Sequence, residues 1–188
     1  MTGWRTLARV IGVSVALAAG SSVAAENYGD TPADAAALVK AMAGAKLTLA
    51  QGIQQVAKGT EAATVAKFEY EDGVLHLSVY TSAKGVKTDA DQNVLKEYGG
   101  DATQAAWKAE VEVFDDVKHV ARAAEYHALM AISPSSLLDI AKKAEAEGDK
   151  VLWVQPRIVD AKPIFDVGVM KGTQLIKVRY GLLDGKKL

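Results

Sequence analysis

The sequence predicts an α+β protein made of two helix-plus-antiparallel-sheet modules that a long helix joins. Three observations lead to this fold class. Apolar residues recur at helical spacing in residues 47–56, and they alternate at strand spacing on both sides of an Asp-Gly pair at residues 72–73. The same order of a helix followed by strands recurs after residue 131. The predicted boundaries are a signal peptide at 1–25, a first module at 26–100, a connecting helix at 101–130 and a second module at 131–188.

Composition limits the classes of protein to which the chain can belong. It has 188 residues, of which 49% are hydrophobic, with 22 basic and 23 acidic side chains. This length allows a substantial core. The balanced charge argues against a nucleic-acid-binding protein, which needs a basic face. The absence of cysteine excludes disulfides, thiolate metal sites and cysteine nucleophiles, and with three histidines any metal site would depend mainly on carboxylates.

Residues 1–25 have the pattern of a secretory signal peptide. Arg5 and Arg9 give a positive start, residues 10–19 are apolar, and residues 23–25 are small enough for cleavage. The apolar run is too short to cross a bilayer, so a retained membrane anchor is the weaker alternative. We therefore expect an exported, periplasmic protein that has no membrane segment after the signal is removed.

Two helices are predicted before the first strand. Thr31 and Pro32 suit the cap and first turn of a short helix, which Gly44 ends. A second helix follows and ends at Gly59. Its apolar residues at helical spacing are Leu49, Ile53 and Val56.

A β-hairpin is predicted around the Asp72-Gly73 turn, because both of its central residues tolerate positive φ. Pairing across this turn places Tyr70 opposite Leu75 and Phe68 opposite Leu77 on one face. Glu69 then faces His76 on the other face, with Glu71 beside them. This group could bind a ligand, but a cross-strand ion pair is the more common role for such residues.

The second half repeats the order of the first. Residues 132–134 open a helix, and two alternating apolar sets follow it as strands. The helix carries Leu137, Leu138 and Ile140. The strands carry Phe165, Val167 and Val169, and then Ile176, Val178 and Tyr180.

Three stretches of the first half resemble the PepSY domain pattern. They are residues 47–53 in the second helix, 67–75 around the hairpin turn and 88–95 after it, where Asn93 stands at a position that is usually glycine. The second half resembles the pattern more loosely and closes on residues 183–186. The resemblance implies a small module of a helix packed on a sheet, often exported and thought to control peptidases. It implies no catalytic residues.

The residues Asp89, Asp91 and Asn93 are the first candidate metal site. Oxygen ligands at alternate positions match the opening of a calcium-binding loop. Val94 and Gly100 replace the glycine and glutamate that an EF-hand needs at its sixth and twelfth positions, so this is not an EF-hand. A polar turn after a strand is the alternative.

The second candidate metal site is on the predicted connecting helix. Apolar residues recur at helical spacing between residues 103 and 130. They are Trp107, Val111, Phe114, Val117, Ala121 and Ala124. On the opposite face of such a helix Glu112, Asp116 and His119 would cluster and could hold a cation. A solvated helix face is the alternative.

Two functions remain from this reasoning, and neither is enzymatic, because the usual phosphate-loop, nucleophile-elbow and zinc-protease motifs are absent from the sequence. The first is a periplasmic protein that binds a hard metal cation, calcium-type or trivalent, through carboxylates. The second is a module that binds a protein partner or inhibits a peptidase through an exposed apolar patch. Neither function involves a nucleic acid or an organic cofactor, and the sequence leaves the oligomeric state open.

Overall fold

The computed structural model describes residues 32–188 and contains four α-helices in that range. They are α1 (Pro32–Ala41), α2 (Leu49–Val56), α3 (Val117–Ile132) and α4 (Leu137–Glu145), with short 3₁₀ turns at Met42–Gly44 and Ala90–Gln92. Thr48 and Ser136 cap α2 and α4 through reciprocal capping boxes. The predicted signal peptide at 1–25 lies outside the described residues.

In the same range, seven strands form one antiparallel sheet. They are β1 (Ala62–Glu71), β2 (Val74–Ser82), β3 (Leu95–Asp101), β4 (Glu110–Val113), β5 (Lys150–Val159), β6 (Lys162–Lys171) and β7 (Gln174–Gly181). Their order across the sheet is β4-β3-β2-β1-β5-β6-β7. The α+β class predicted from the sequence is confirmed.

The first hairpin has the predicted register. Phe68 pairs with Leu77, Tyr70 pairs with Leu75, and Glu69 pairs with His76. Asp72 and Gly73 both have positive φ, as a two-residue hairpin turn requires. The local signal of the turn residues was therefore sufficient to place both strands.

Helices cover both faces of the sheet. The main core lies on the face that α1, α2 and α4 cover, where residues such as Phe68, Leu77 and Val167 are fully buried. We call the other face the outer face. The central part of the outer face is covered by α3, and a smaller apolar cluster lies there. Its buried members are Val65, Tyr80, Leu95, Phe114, Ala123 and Tyr126.

The prediction of one continuous helix from residue 101 to residue 130 was wrong in its first half. Residues 110–113 form the edge strand β4, and α3 begins only at Val117, capped by the Asp116 side chain. Glu-Val-Glu-Val also alternates with a period of two, which fits a strand as well as a helix. Val117, predicted to be in the core, is 86% exposed.

The prediction of two modules was also wrong. Each half contributes a capped helix followed by three antiparallel strands, but β1 of the first half pairs with β5 of the second half through Ala66–Val154 and Lys67–Trp153. The main core contains residues of both halves. The two halves therefore form a single sheet, and α3 packs on its outer face instead of joining two modules.

Candidate functional site

An acidic cleft of about 740 Å³ lies on the outer face at the β1–β4 end of the sheet. Its walls carry carboxylates from the strands β1, β3 and β4, whereas β2 contributes His76 and Ser78. Lys108 is the one lysine or arginine among its described lining residues. The acidic residues that line it are Glu69, Glu71, Glu97, Asp101, Glu110 and Glu112.

The strand register explains why these side chains share one cleft. Successive residues of a strand point to opposite faces, and paired residues of neighbouring strands point to the same face. Glu97 pairs directly with Glu112, and Gly99 pairs with Glu110. Carboxylates directly opposite each other repel, so the Glu97–Glu112 pair places a local cost on the fold.

Small residues between the carboxylates make this surface concave. Ser78 pairs with Gly99 across β2 and β3, and both line the cleft. A Cβ added at Gly99 would be 3.8 Å from the Glu97 carboxylate oxygen, so the glycine leaves open space beside that carboxylate.

Glu69 is a half-buried carboxylate of the cleft, with a side chain that is 21% exposed. Its carboxylate lies 2.7 Å from the Lys67 ammonium, which is itself buried beside the Tyr80 ring. The pKa of Glu69 is raised because burial penalises the charged form; Lys67 opposes the shift, and the neighbouring Glu71 and Glu97 carboxylates add to it.

Two further pKa shifts are caused by the surroundings of the cleft. The pKa of Tyr80 is raised by burial and then by the nearby Glu97 and Glu69 carboxylates. The pKa of Asp101 is lowered to about 2, because its carboxylate accepts hydrogen bonds from Gln104 and from the Thr103 hydroxyl and amide. The Glu97 and Glu69 carboxylates therefore lie close enough to influence Tyr80, whereas the Asp101 shift is caused by local hydrogen bonds.

The cleft has the chemistry of a cation-binding surface. Carboxylate oxygens are the ligands that hard cations prefer. Within residues 32–188, however, no three His, Asp or Glu side chains are arranged so that they could already hold one metal ion. Binding a single ion here would require some of the glutamate side chains to turn toward each other.

The structure places the first predicted metal site on an exposed turn. Asp89 and Asp91 are exposed; Asp89 precedes the 3₁₀ turn at Ala90–Gln92, and Asp91 lies within it. Asn93 accepts a hydrogen bond from the Lys84 amide through its side-chain oxygen and donates one to the Gly85 carbonyl through its side-chain nitrogen. Asn93 therefore holds the turn together, which is the structural alternative that the sequence offered.

The second predicted site is divided between two elements. Glu112 is on β4 and lines the acidic cleft, whereas Asp116 and His119 are at the start of α3. The Asp116 carboxylate lies 2.5 Å from His119 Nδ1 and accepts hydrogen bonds from the Lys118 and His119 amides. These hydrogen bonds lower the pKa of Asp116, with the His119 side chain as the largest cause.

Sequence reasoning found one part of the cleft and missed another. The shared face of Glu69, Glu71 and His76 was predicted from the hairpin register, and this pairing is confirmed. Glu110 is a site residue that the sequence analysis does not find, because the apolar spacing of residues 103–130 predicts a helix where β4 lies. The alternating Glu-Val-Glu-Val of β4 was the signal that could have revealed it.

The resemblance of this chain to known proteins is distant. No family model matches the chain, so the PepSY resemblance is not confirmed. No curated protein matches it either. One similar solved structure is that of a presumed lipoprotein from Clostridium difficile, at 11% identity and a TM-score of 0.38, over 77% of this chain and 91% of that one. In the described part of the chain, no helix is long and apolar enough to span a membrane.

Proposed function

We propose that this protein is an exported, non-enzymatic binding protein that takes up hard metal cations, calcium-type or trivalent, in the acidic cleft. The observation that carries the proposal is that six carboxylates from β1, β3 and β4 line one concave surface, with Lys108 as the one lysine or arginine among the described lining residues. The export component rests on the sequence pattern of residues 1–25.

The repulsion within the cleft gives a physical reason for cation binding. The paired carboxylates of Glu97 and Glu112, and the pKa of Glu69 raised in part by Glu71 and Glu97, both reflect unfavourable contacts between like charges. A bound cation replaces these contacts with attractive ones. At equal distance a trivalent ion is attracted about one and a half times as strongly as a divalent ion, which favours trivalent over divalent cations.

The side chains of the cleft are suited to rearrangement around an ion. Glu110 and Glu112 are exposed on an edge strand, so they can change rotamer without disturbing the core. Hard cations accept six to eight oxygen ligands in flexible geometries, including water. Two or three turned carboxylates together with water would complete such a coordination shell.

Calorimetric titration of the chain without residues 1–25 tests this proposal. Calcium and lanthanum are added separately, with magnesium as the control ion. Glu97→Gln with Glu112→Gln removes two charges while retaining the shapes of both side chains. We expect this double variant to bind calcium and lanthanum at least about tenfold more weakly.

Two further double variants control for the loss of charge. Glu125→Gln with Asp160→Asn removes two exposed charges outside the cleft and is expected to leave the titration unchanged. Asp89→Asn with Asp91→Asn tests the turn that the sequence predicted as a site. If the wild-type protein takes up neither calcium nor lanthanum, or if the cleft variant binds them as well as wild type does, the proposal is wrong.

The edge strand β4 favours a second candidate function, the binding of a protein partner. Val111 and Val113 are each 53% exposed, and β4 is the outermost strand on this side of the sheet. An open strand edge with exposed apolar side chains can accept an extended peptide as an additional strand. This function agrees with the peptidase-inhibitory role that the PepSY resemblance implies.

The two candidate functions can be separated by one substitution. Val111→Pro removes the backbone N–H of residue 111, a hydrogen-bond donor that points away from the sheet. The carboxylates of the cleft remain in place. If an extract protein that the wild-type chain captures is lost specifically with Val111→Pro while calcium titration is unchanged, the partner function is favoured.

The two halves of the chain also provide a basis for proposing PepSY-like repeats. Each half has a helix with a capping box, followed by three antiparallel strands with a register irregularity near the start of the first strand. In this proposal the repeats have merged through the pairing of β1 with β5.

A further inference from the structure

The outer face is basic at the end opposite to the acidic cleft. A second cleft of about 620 Å³ lies there, on β6, β7 and the residues that follow β7. Four basic residues line it, with Asp160 as the single acidic one. The basic residues are Lys162, Lys177, Arg179 and Lys187. We call this surface the basic surface.

Most of the charge on the basic surface is not neutralised by the residues that the structure describes. Lys187 pairs with Glu147. In contrast, Lys162, Lys177 and Arg179 form no ion pair with any residue in the described range 32–188. Lys177 lies with its ammonium 5.9 Å above the ring of Trp153, which orients this side chain without removing its charge.

Aliphatic side chains adjoin these charges. Leu188 lines the same cleft and is 72% exposed. Val159, which is half-buried, also lines it and pairs with Lys162 across β5 and β6. Basic residues together with exposed aliphatic residues are the combination by which proteins attach peripherally to a negatively charged lipid surface.

We propose that the basic surface docks the protein onto an anionic phospholipid bilayer. Lys162, Lys177 and Arg179 contact the phosphate groups, and Leu188 enters the headgroup region. No spanning segment is needed for such attachment. The proposal is independent of cation binding, since the two sites share no residue.

Docking in this way also orients the acidic cleft. The two charged ends belong to the same outer face, with α3 between them. A negatively charged bilayer attracts the basic surface and repels the carboxylates of β1–β4, so the cleft remains open to the solvent.

Vesicle sedimentation tests the proposal with the chain without residues 1–25, so that the predicted signal peptide does not contribute. Vesicles of phosphatidylglycerol and phosphatidylcholine in equal parts are compared with vesicles of phosphatidylcholine alone. We expect binding to the anionic vesicles, little binding to the neutral ones, and a loss of binding as the salt concentration rises. Equal binding to both kinds of vesicle would overturn the proposal, as would no binding to either.

A matched pair of charge reversals identifies the surface. Lys177→Glu with Arg179→Glu should weaken binding to anionic vesicles at least about tenfold. Lys58→Glu with Lys142→Glu changes the net charge equally at exposed sites outside the basic surface and should change binding less than twofold, a difference that net charge alone would not produce. Circular dichroism of both variants verifies that they fold. If both variants lose binding equally, attachment is nonspecific and the proposal fails.

A last experiment uses inorganic phosphate to distinguish binding of a free anion from binding to a membrane. If phosphate alone perturbs the nuclear magnetic resonance signals of Lys177 and Arg179 at millimolar concentration while anionic vesicles do not bind, the surface recognises a free anion and the membrane proposal is wrong. Vesicle binding that persists in the presence of phosphate supports the membrane.

Discussion

Gly168 shows how a single residue determines the position of a large side chain. It pairs with Trp153 across β5 and β6, and a Cβ added at Gly168 would lie 2.4 Å from two atoms of the indole ring. Real Cβ contacts are never so short, and the ring is part of the rigid, fully buried core. The glycine therefore allows the indole to lie directly on the neighbouring strand.

We expect Gly168→Ala to destabilise the protein by about 1–3 kcal/mol, because the added methyl group must displace the buried Trp153 ring. Gly99→Ala is the matched control, since this strand glycine has room for a Cβ and its nearest contact would be 3.8 Å away. Its effect should stay within about 0.5 kcal/mol. Urea unfolding of both variants measures these free energies, and equal effects would show that the indole can move aside at no cost.

The candidate site was predictable from sequence only where local signals were strong. Glu69 and His76 could be placed on one face, because the Asp72-Gly73 turn determines the register of the hairpin. Glu97 and Glu112 could not be paired in this way. Fourteen residues of strand and irregular chain lie between them, and no local pattern specifies which strands will be neighbours.

The strand β4 and the helix α3 show the same limit at the level of elements. The apolar residues of 110–113 have the same helical spacing as those of α3, and this spacing predicts one long helix. Asp116, however, is a residue type that often caps the start of a helix, and α3 does begin directly after it, at Val117. The edge position of β4 explains why Val111 and Val113 are exposed even though they alternate regularly.

The hydrogen-bond pattern of β4 makes a specific prediction for amide exchange. The Phe114 amide bonds to the Leu95 carbonyl of β3. Because inward and outward donors alternate along an antiparallel strand, the amides of Glu110 and Glu112 also point to β3, and those of Val111 and Val113 point away from the sheet.

We therefore expect the amides of Val111 and Val113 to exchange rapidly with deuterium and those of Glu112 and Phe114 to exchange slowly. Nuclear magnetic resonance of the exchanging protein resolves the individual amides. Slow exchange at all four positions would mean that another strand already covers this edge, for example from a second copy of the chain.

At the level of the whole molecule, the pairing of β1 with β5 determines the architecture. It joins the two halves of the chain into one sheet, and residues from both halves fill the main core. The internal repeat was visible in the sequence. The merging of the halves was not, because it depends on contacts between residues nearly ninety positions apart, such as Lys67 and Trp153.

A shared core predicts that both halves unfold together. Trp107 belongs to the first half and Trp153 to the second, and both are buried. In the chain without residues 1–25 they are the only tryptophans.

Two variants test this prediction. Trp107→Phe leaves a fluorescent tryptophan in the second half, and Trp153→Phe leaves one in the first half. For each variant, the midpoint of urea unfolding measured by fluorescence should coincide with its own midpoint measured by far-ultraviolet circular dichroism, as expected of one cooperative unit. Independent modules would instead give a fluorescence transition in at least one variant that is displaced from the loss of secondary structure, and that result would contradict the single-sheet architecture as the unit of stability.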